Sequence, residues 1–306
     1  MIVSDSHNNA VKPKNRIDKL VTEALAIEAE SAIEAKKIAY MARAMVMATL
    51  PHSKPDGYIF QRKSFDYTLT MKADPQFGLP YGSLPRLILA WMAKEAVTKK
   101  SPVLLLGKTF SNFLTSLNLS QSGGKRGDAT RLREQMLRLF TTHISCTYRN
   151  DKQGVCKGDN FLVARSFELW WDPLKAKNDA LLPHSTITLA KDFFDELIKK
   201  PIPVDFRVLQ ALRRSPLQID IYVWLTYRFF TLKRSTLIAW VHLKNQFGSD
   251  YADNAMGLRD FKKNFLKALH IVTVIYQEAS VEIYSEGLFL HPSSPHVKPL
   301  KKRGLN

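Results

Sequence analysis

Two stretches of this sequence place cations and amides at helical spacing. In the first, Leu132, Met136, Leu139 and Phe140 recur as one helix face. That spacing turns Arg131, Arg133, Gln135 and Arg138 outward or to the flanks, behind Lys125 and Arg126 in a glycine-rich turn. Residues 125–149 hold six bases and two acids. In the second stretch, Leu258, Phe261, Phe265 and Leu269 form the inward face, leaving Arg259, Lys262, Lys263, Asn264 and Lys267 outside. Such cations neutralise phosphates, and an Arg/Gln mixture can also pair with guanine and adenine edges. The candidate binding residues are therefore Lys125, Arg126, Arg131, Arg133, Gln135, Arg138, Arg259, Lys262, Lys263 and Lys267. A charged face merely wetted by solvent is the plainer account of either stretch alone. Two of them, each preceded by a helix and followed by strands, favour nucleic acid.

Composition points the same way. The chain has 45 Lys and Arg against 28 Asp and Glu, a net charge of +17 over 306 residues. An excess of that size calls for a polyanionic partner, although charge alone does not separate DNA, RNA and anionic lipid. Lipid is the weakest, because the most apolar stretch, 219–230, is short and broken by Asp220 and Arg228. The first residues lack the apolar core of a secretory signal. Two cysteines, Cys146 and Cys156, cannot form a disulfide framework and are expected to be reduced thiols of a cytoplasmic protein.

Other constellations fall away. Gly107-Lys108-Thr109 looks like the end of a phosphate-binding loop, but the glycine it needs would fall at Pro102, with apolar 103–106 between. Eight histidines are scattered without metal-ligand spacing. No nucleophile–base grouping or strand-nicking set stands out. The expectation is a non-enzyme with no catalytic residues, no cofactor and no metal.

The elements that must hold the two basic faces follow from pattern. Residues 1–15 are polar. Residues 16–50 are free of Gly and Pro and spell one helix, with Ile17, Leu20, Val21 and Ala24 on a face that Ile38, Met41 and Met45 continue. Residues 58–71 alternate as a strand. Helices are expected at 84–97, 109–117 and 129–143, the last capped by Asp128, with a short strand at 103–106. Strands at 144–149 and 161–170 then flank a polar loop. The order returns as a strand at 186–189, helices at 191–199, 206–213, 216–232, 235–247 and 254–270, and strands at 271–276, 280–284 and 288–291.

Letters repeat as well. Leu132-Arg133-Glu134 matches Leu258-Arg259-Asp260 at an offset of 126, and His143-Ile144 matches His270-Ile271 at 127. A duplicated supersecondary unit is the simplest account.

Residues 60–140 carry a family likeness. Phe60-Gln61-Arg62, the run Gly78-Leu79-Pro80-Tyr81-Gly82-Ser83-Leu84-Pro85-Arg86-Leu87, Ala90-Trp91, Leu106-Gly107-Lys108, Gly123-Gly124-Lys125-Arg126-Gly127 and 131–140 resemble the plasmid-encoded RepA family of replication initiators. The likeness continues more thinly through Trp170-Trp171 and Pro173 into 209–212. It implies an initiator that binds repeated double-stranded sites (iterons) at a plasmid origin, helps to open it, and recruits the host DnaA protein and replicative helicase. It also implies monomers that start replication and dimers that control copy number.

The fold expected is α+β, mainly helical: two tandem winged-helix domains preceded by an N-terminal helical arm. The domains are 1–55 (disordered segment and arm), 56–182, 183–292 and a basic tail, 293–306. The alternatives are a winged-helix transcriptional repressor or other sequence-specific regulator, and a non-specific RNA or nucleoid binder. Unequal tandem units with no domain left over for an effector favour the initiator over the repressor. The lack of Gly-rich aromatic motifs counts against RNA.

Overall fold

In this computed structural model the protein is described over residues 16–297, except 33, 43, 44, 47, 48, 65, 108, 152, 170–184, 200 and 249. The basic run Lys298, Lys301, Lys302 and Arg303 and the Trp170–Pro173 motif lie outside the described residues. The chain begins with α1 (Arg16–Ala29), β1 (Ile38–Met41) and a hairpin, β2 (Ile59–Ser64) and β3 (Tyr67–Lys72). Then come α2 (Ser83–Lys99), β4 (Val103–Leu105), α3 (Phe110–Ser116) and α4 (Asp128–Thr141). A second hairpin, β5 (His143–Asn150) and β6 (Val155–Leu162), precedes β7 (Ala164–Glu168) and β8 (Thr186–Leu189). After α5 (Lys191–Lys199), β9 (Ile202–Asp205) and α6 (Phe206–Ala211) run α7 (Pro216–Thr231), β10 (Thr236–Ala239), α8 (Trp240–Phe247), α9 (Ala255–Ile275), β11 (Val281–Ile283) and β12 (Gly287–Leu290).

The repeat lies in topology. A helix, a short strand, two helices and two more strands occur as α2-β4-α3-α4-β7-β8 and again as α7-β10-α8-α9-β11-β12. The strands pair antiparallel in the same order, β4-β8-β7 and β10-β12-β11, with the last strand in the middle. The first copy differs by the inserted β5–β6 hairpin, which joins β2 and β3 in a four-stranded sheet, β2-β3-β5-β6.

Burial sets the register of the repeat, and it is not the one the letters propose. Leu132, Met136, Leu139 and Phe140 are buried in α4, and Phe261, Phe265, Ala268 and Leu269 are buried in α9. Each pair is 129 apart (132 to 261, 136 to 265, 139 to 268, 140 to 269). At the offset of 126, Met136 would align with Lys262, off the core face. Both basic helices also carry a glycine pressed on the turn before them, Gly127 at the N-cap of α4 and Gly257 in the first turn of α9. A Cβ on Gly127 would lie 2.2 Å from the Ser122 carbonyl oxygen, and one on Gly257 would lie 2.0 Å from that of Ala252. Each contact reaches back five residues.

Several expected elements are redrawn. The helix over 16–50 stops at Ala29. Lys36 takes a left-handed φ of 53°, and the chain returns as β1, paired antiparallel with β9. Leu20, Ala24 and Ile27 are buried, whereas Val21 is exposed, so the apolar stripe is narrower than its spelling. Residues 235–247 divide into β10 and α8, and 58–71 into the β2–β3 hairpin. The β-branched run 271–275 is helical, because Val272 and Ile275 extend the buried face of α9 and tertiary packing overrides strand propensity. Residues 143–162 form the inserted hairpin, so the connection that matches 284–286 of the second copy is the one between β7 and β8. β8 belongs to the first sheet although it follows the boundary expected at 182/183.

The two copies share one continuous core. Their first helices, α2 and α7, are buried on nearly all sides and pack on each other. Arg86 of α2, 1% exposed, donates from Nε and Nη2 to the Asp220 carboxylate of α7 at 2.6 and 2.7 Å, and from its Nη atoms to the carbonyls of Leu50, Pro51 and Gly82. His52 Nε2 lies 2.7 Å from the same carboxylate. Arg62 of β2 donates to Thr49 Oγ1 and to the Gln246 carbonyl in α8. Two residues of the family-like runs, Arg62 and Arg86, thus tie one half to the other.

Candidate nucleic-acid interface

α4 is entered through a tight turn. Gly124 has a positive φ of 89°, Thr130 Oγ1 donates to its carbonyl, and Gly127 fits where no side chain would. Gly127 is the N-cap, and Asp128 sits in the first turn instead of capping. The Asp128 carboxylate accepts from Ser120 N and Oγ, both at 3.0 Å, and pairs with Arg131 at 3.6 Å. A carboxylate in the first turn also suits the helix dipole. α9 is capped by Asn254, whose side chain accepts from the Gly257 N–H at 2.8 Å.

Seven of the ten candidate residues are exposed: Lys125, Arg126, Arg131 and Arg133 on the first unit, Arg259, Lys263 and Lys267 on the second. The other three serve the fold. Gln135 is 5% exposed, and its Oε1 accepts from the Tyr81 N–H at 2.9 Å. Arg138, half-buried, donates to the Leu79 carbonyl at 3.2 Å and lies over the Tyr81 ring, 5.5 Å from its centroid. Gln135 and Arg138 therefore seat the Gly78–Tyr81 run on the flank of α4 and do not face outward. Lys262 lies 4.8 Å from the Trp240 ring centroid, with Nζ 3.4 Å from the Ser285 carbonyl oxygen, which ties α9 to the β11–β12 turn.

On α9 the outward stripe is Met256, Arg259, Lys263, Lys267 and His270, all exposed and spaced by three or four residues. Asp260, beside Arg259 at 3.8 Å, is the acid along it. Met256, 63% exposed, and His270 were absent from the candidate set. The expected helix 254–270 already held both, and their spacing of three from Arg259 and from Lys267 marks them as members of the same face. At the offset of 129, Arg133 matches Lys262, Gln135 matches Asn264 and Arg138 matches Lys267. The first face is mixed, with Glu134 exposed among its arginines, while the second is nearly uniform in sign. The β11–β12 turn has Glu282 and Glu286 near it and adds no cation to α9.

The family model for plasmid-encoded RepA protein matches residues 79–242, more than half of the 306-residue chain. The chain belongs to the plasmid-encoded RepA family. This is the family of plasmid replication initiators that the Gly78–Leu87 run resembles, and the matched region holds α4 while α9 lies beyond it. The fold of this RepA-family chain is similar to that of domains 2 and 3 of RctB, at a TM-score of 0.51 and 11% identity over 80% of this chain and 94% of that one. A selenomethionine derivative of the same two RctB domains matches at a TM-score of 0.48 and 12% identity, over 79% and 95%. At such identities the likeness is one of fold. No curated protein matches the chain. Among the described residues, no helix is long and apolar enough to cross a membrane.

Proposed function

We propose that this RepA-family chain is an iteron-binding initiator whose two repeated units are winged helices, each laying its third helix, α4 or α9, in the major groove of duplex DNA. The observation that carries this proposal is the repeated topology with a shared burial register. Each copy presents, in the same place, a helix whose inner face is core and whose outer face is cationic. Two readers fixed by one continuous core would engage successive major-groove segments of a single site about one helical turn apart. The mixed Arg-bearing face of α4 suits base edges, whereas the α9 stripe suits phosphates. The protein would act by binding and not by catalysis. It would work in the bacterial cytoplasm, opening the origin and recruiting DnaA and the replicative helicase, with self-association limiting copy number.

Selection of binding sites from random duplex DNA at physiological salt, followed by footprinting, tests this proposal. One enriched site of about two helical turns, protected on both halves, is the expected outcome. Tight binding with no enriched sequence would reduce the protein to a general polyanion binder.

A further inference from the structure

We propose that the solvent face of the four-stranded sheet β2-β3-β5-β6 is a third DNA-contacting surface, which grips the sugar–phosphate backbone of the duplex without reading its sequence. The proposal rests on the chain being a duplex-DNA-binding initiator.

Strand register defines this face. Partners across an antiparallel ladder point to the same side. Gln61, Thr70, Ser145 and Asn160 form one row, Lys63, Thr68 and Thr147 the next, and Lys72 and His143 a third. The opposite side packs on the core through Phe60, Met71 and Ile144, all buried, and through Phe161, stacked on Phe193 of α5. The outward side chains are cations, hydroxyls and amides, the groups that contact phosphate and sugar oxygens in protein–DNA complexes. Within those rows there is no acid.

The face runs into a groove of about 710 Å³, where Lys72, His143, Ser145 and Arg165 come together with Lys191 and Asp192 at the start of α5. Lys191 is paired with Asp195 at 2.8 Å. Among the described residues, Lys63, Lys72 and Arg165 have no ion-pair partner. The sheet is also continuous with the first reading helix, because α4 passes through Thr142 directly into β5. The second unit has only residues 276–280 between α9 and β11, so this surface belongs to the first unit alone.

The chemistry selects among polyanions. A protein partner would need apolar or aromatic anchors at the centre of the patch. Here the apolar members, Ile59 and Leu162, sit in the end row. A single strand bound through its bases would need aromatic platforms. The tyrosines of the sheet, Tyr67 and Tyr148, pack on each other in the opposite register. What remains is the backbone of duplex DNA.

The test is a triple variant, Lys63→Gln, Lys72→Gln and Arg165→Gln, in the full chain. Its affinity is measured over a salt series for the selected duplex, for a random duplex of equal length, and for the selected single strand. Lys263→Gln with Lys267→Gln on α9 serves as the parallel control. All five residues are exposed, and an unchanged melting temperature verifies the fold. The expected result is a salt slope lower by about one per lost contact and affinity lower by about tenfold or more at physiological salt. The loss should be equal on both duplexes, leaving their ratio unchanged. Unchanged slope and affinity, with the α9 control still weakened, would overturn the proposal and leave the tandem reader standing. A loss confined to the single strand would also overturn it. If neither variant weakens binding, the DNA-reading account itself fails.

Discussion

Asp220 holds Arg86 in a two-pronged ion pair, 2.6 and 2.7 Å across the contact between the first helices of the two repeated units. Both side chains are buried. Burial alone would raise the Asp220 carboxyl, but the Arg86 guanidinium and the hydrogen bonds from Arg86 and His52 overcome it and lower it to about 2. The pair therefore stays ionised and fixes how one unit sits against the other.

Breaking this pair from one side leaves a buried charge uncompensated. Asp220→Ala or Arg86→Met is expected to destabilise the protein by about 3–5 kcal/mol. The double variant Arg86→Met with Asp220→Leu should recover much of that loss, because no lone charge remains. Urea unfolding of all three checks it, and a double variant worse than the sum of the singles would contradict it.

Acid should weaken the fold in two stages, the first at His52 beside Asp220 and at His296 packed on Tyr222 and Tyr276. Burial is the leading cause that lowers His52 and His296, so both bind protons less readily folded than unfolded. Their contribution to stability is full above the unfolded histidine value of about 6.5 and is lost as pH falls below it. Asp220 has the depressed carboxylate's behaviour, stabilising above about 4 and losing its effect as pH falls toward 2. Unfolding free energy measured from pH 8 to pH 5 should therefore fall, and His52→Gln should flatten part of the slope.

The glycines that open the two basic helices are expected to be intolerant for steric reasons. Alanine at Gly257 or Gly127 drives its Cβ into backbone carbonyls that cannot swing aside. Each substitution should cost about 1–3 kcal/mol. It should also shift the start of its helix, which weakens DNA binding beyond the loss in melting temperature. Alanine at Gly154, where nothing lies within 4 Å but φ is +63°, isolates the cost of backbone strain alone.

Gln135 and Arg133, two residues apart, should separate cleanly. Gln135→Ala leaves the Tyr81 N–H without its acceptor and is expected to cost about 1–3 kcal/mol of stability, with little change in DNA affinity per folded molecule. Arg133→Ala should leave the melting temperature alone and weaken DNA binding. Thermal melts beside binding isotherms distinguish the two, and reversed outcomes would return Gln135 to the interface.

The contrast between Gln135 and Arg133 shows what the sequence could tell. Helical spacing of Leu132, Met136, Leu139 and Phe140 identified the core face of α4 correctly, and it left Arg133 outside. Gln135 borders that face, and whether an amide on the border turns in or out depends on Tyr81, 54 residues away. The register of the duplication was in the two inward faces, because 132, 136 and 140 already align with 261, 265 and 269 at an offset of 129, but the letter matches at 126 and 127 pulled it away. The Arg86–Asp220 pair and the end of the arm helix at Ala29, after which the chain returns as β1 to pair with β9, depend on partners distant in the chain, so pattern alone could not place them. The order of helix, strand, two helices and strands was legible in the first copy, where the inserted β5–β6 hairpin stood in for strands of the repeat, while in the second β10 was hidden within the helix expected over 235–247.

The most direct measurement is a footprint of the selected duplex with two charge-neutralised variants, Arg131→Ala with Arg133→Ala on α4, and Lys263→Ala with Lys267→Ala on α9. Each variant should lose protection over a different half of one site while keeping the other half. Loss from both halves together, or full protection with the α9 stripe neutralised, would contradict a chain that reads DNA with two helices.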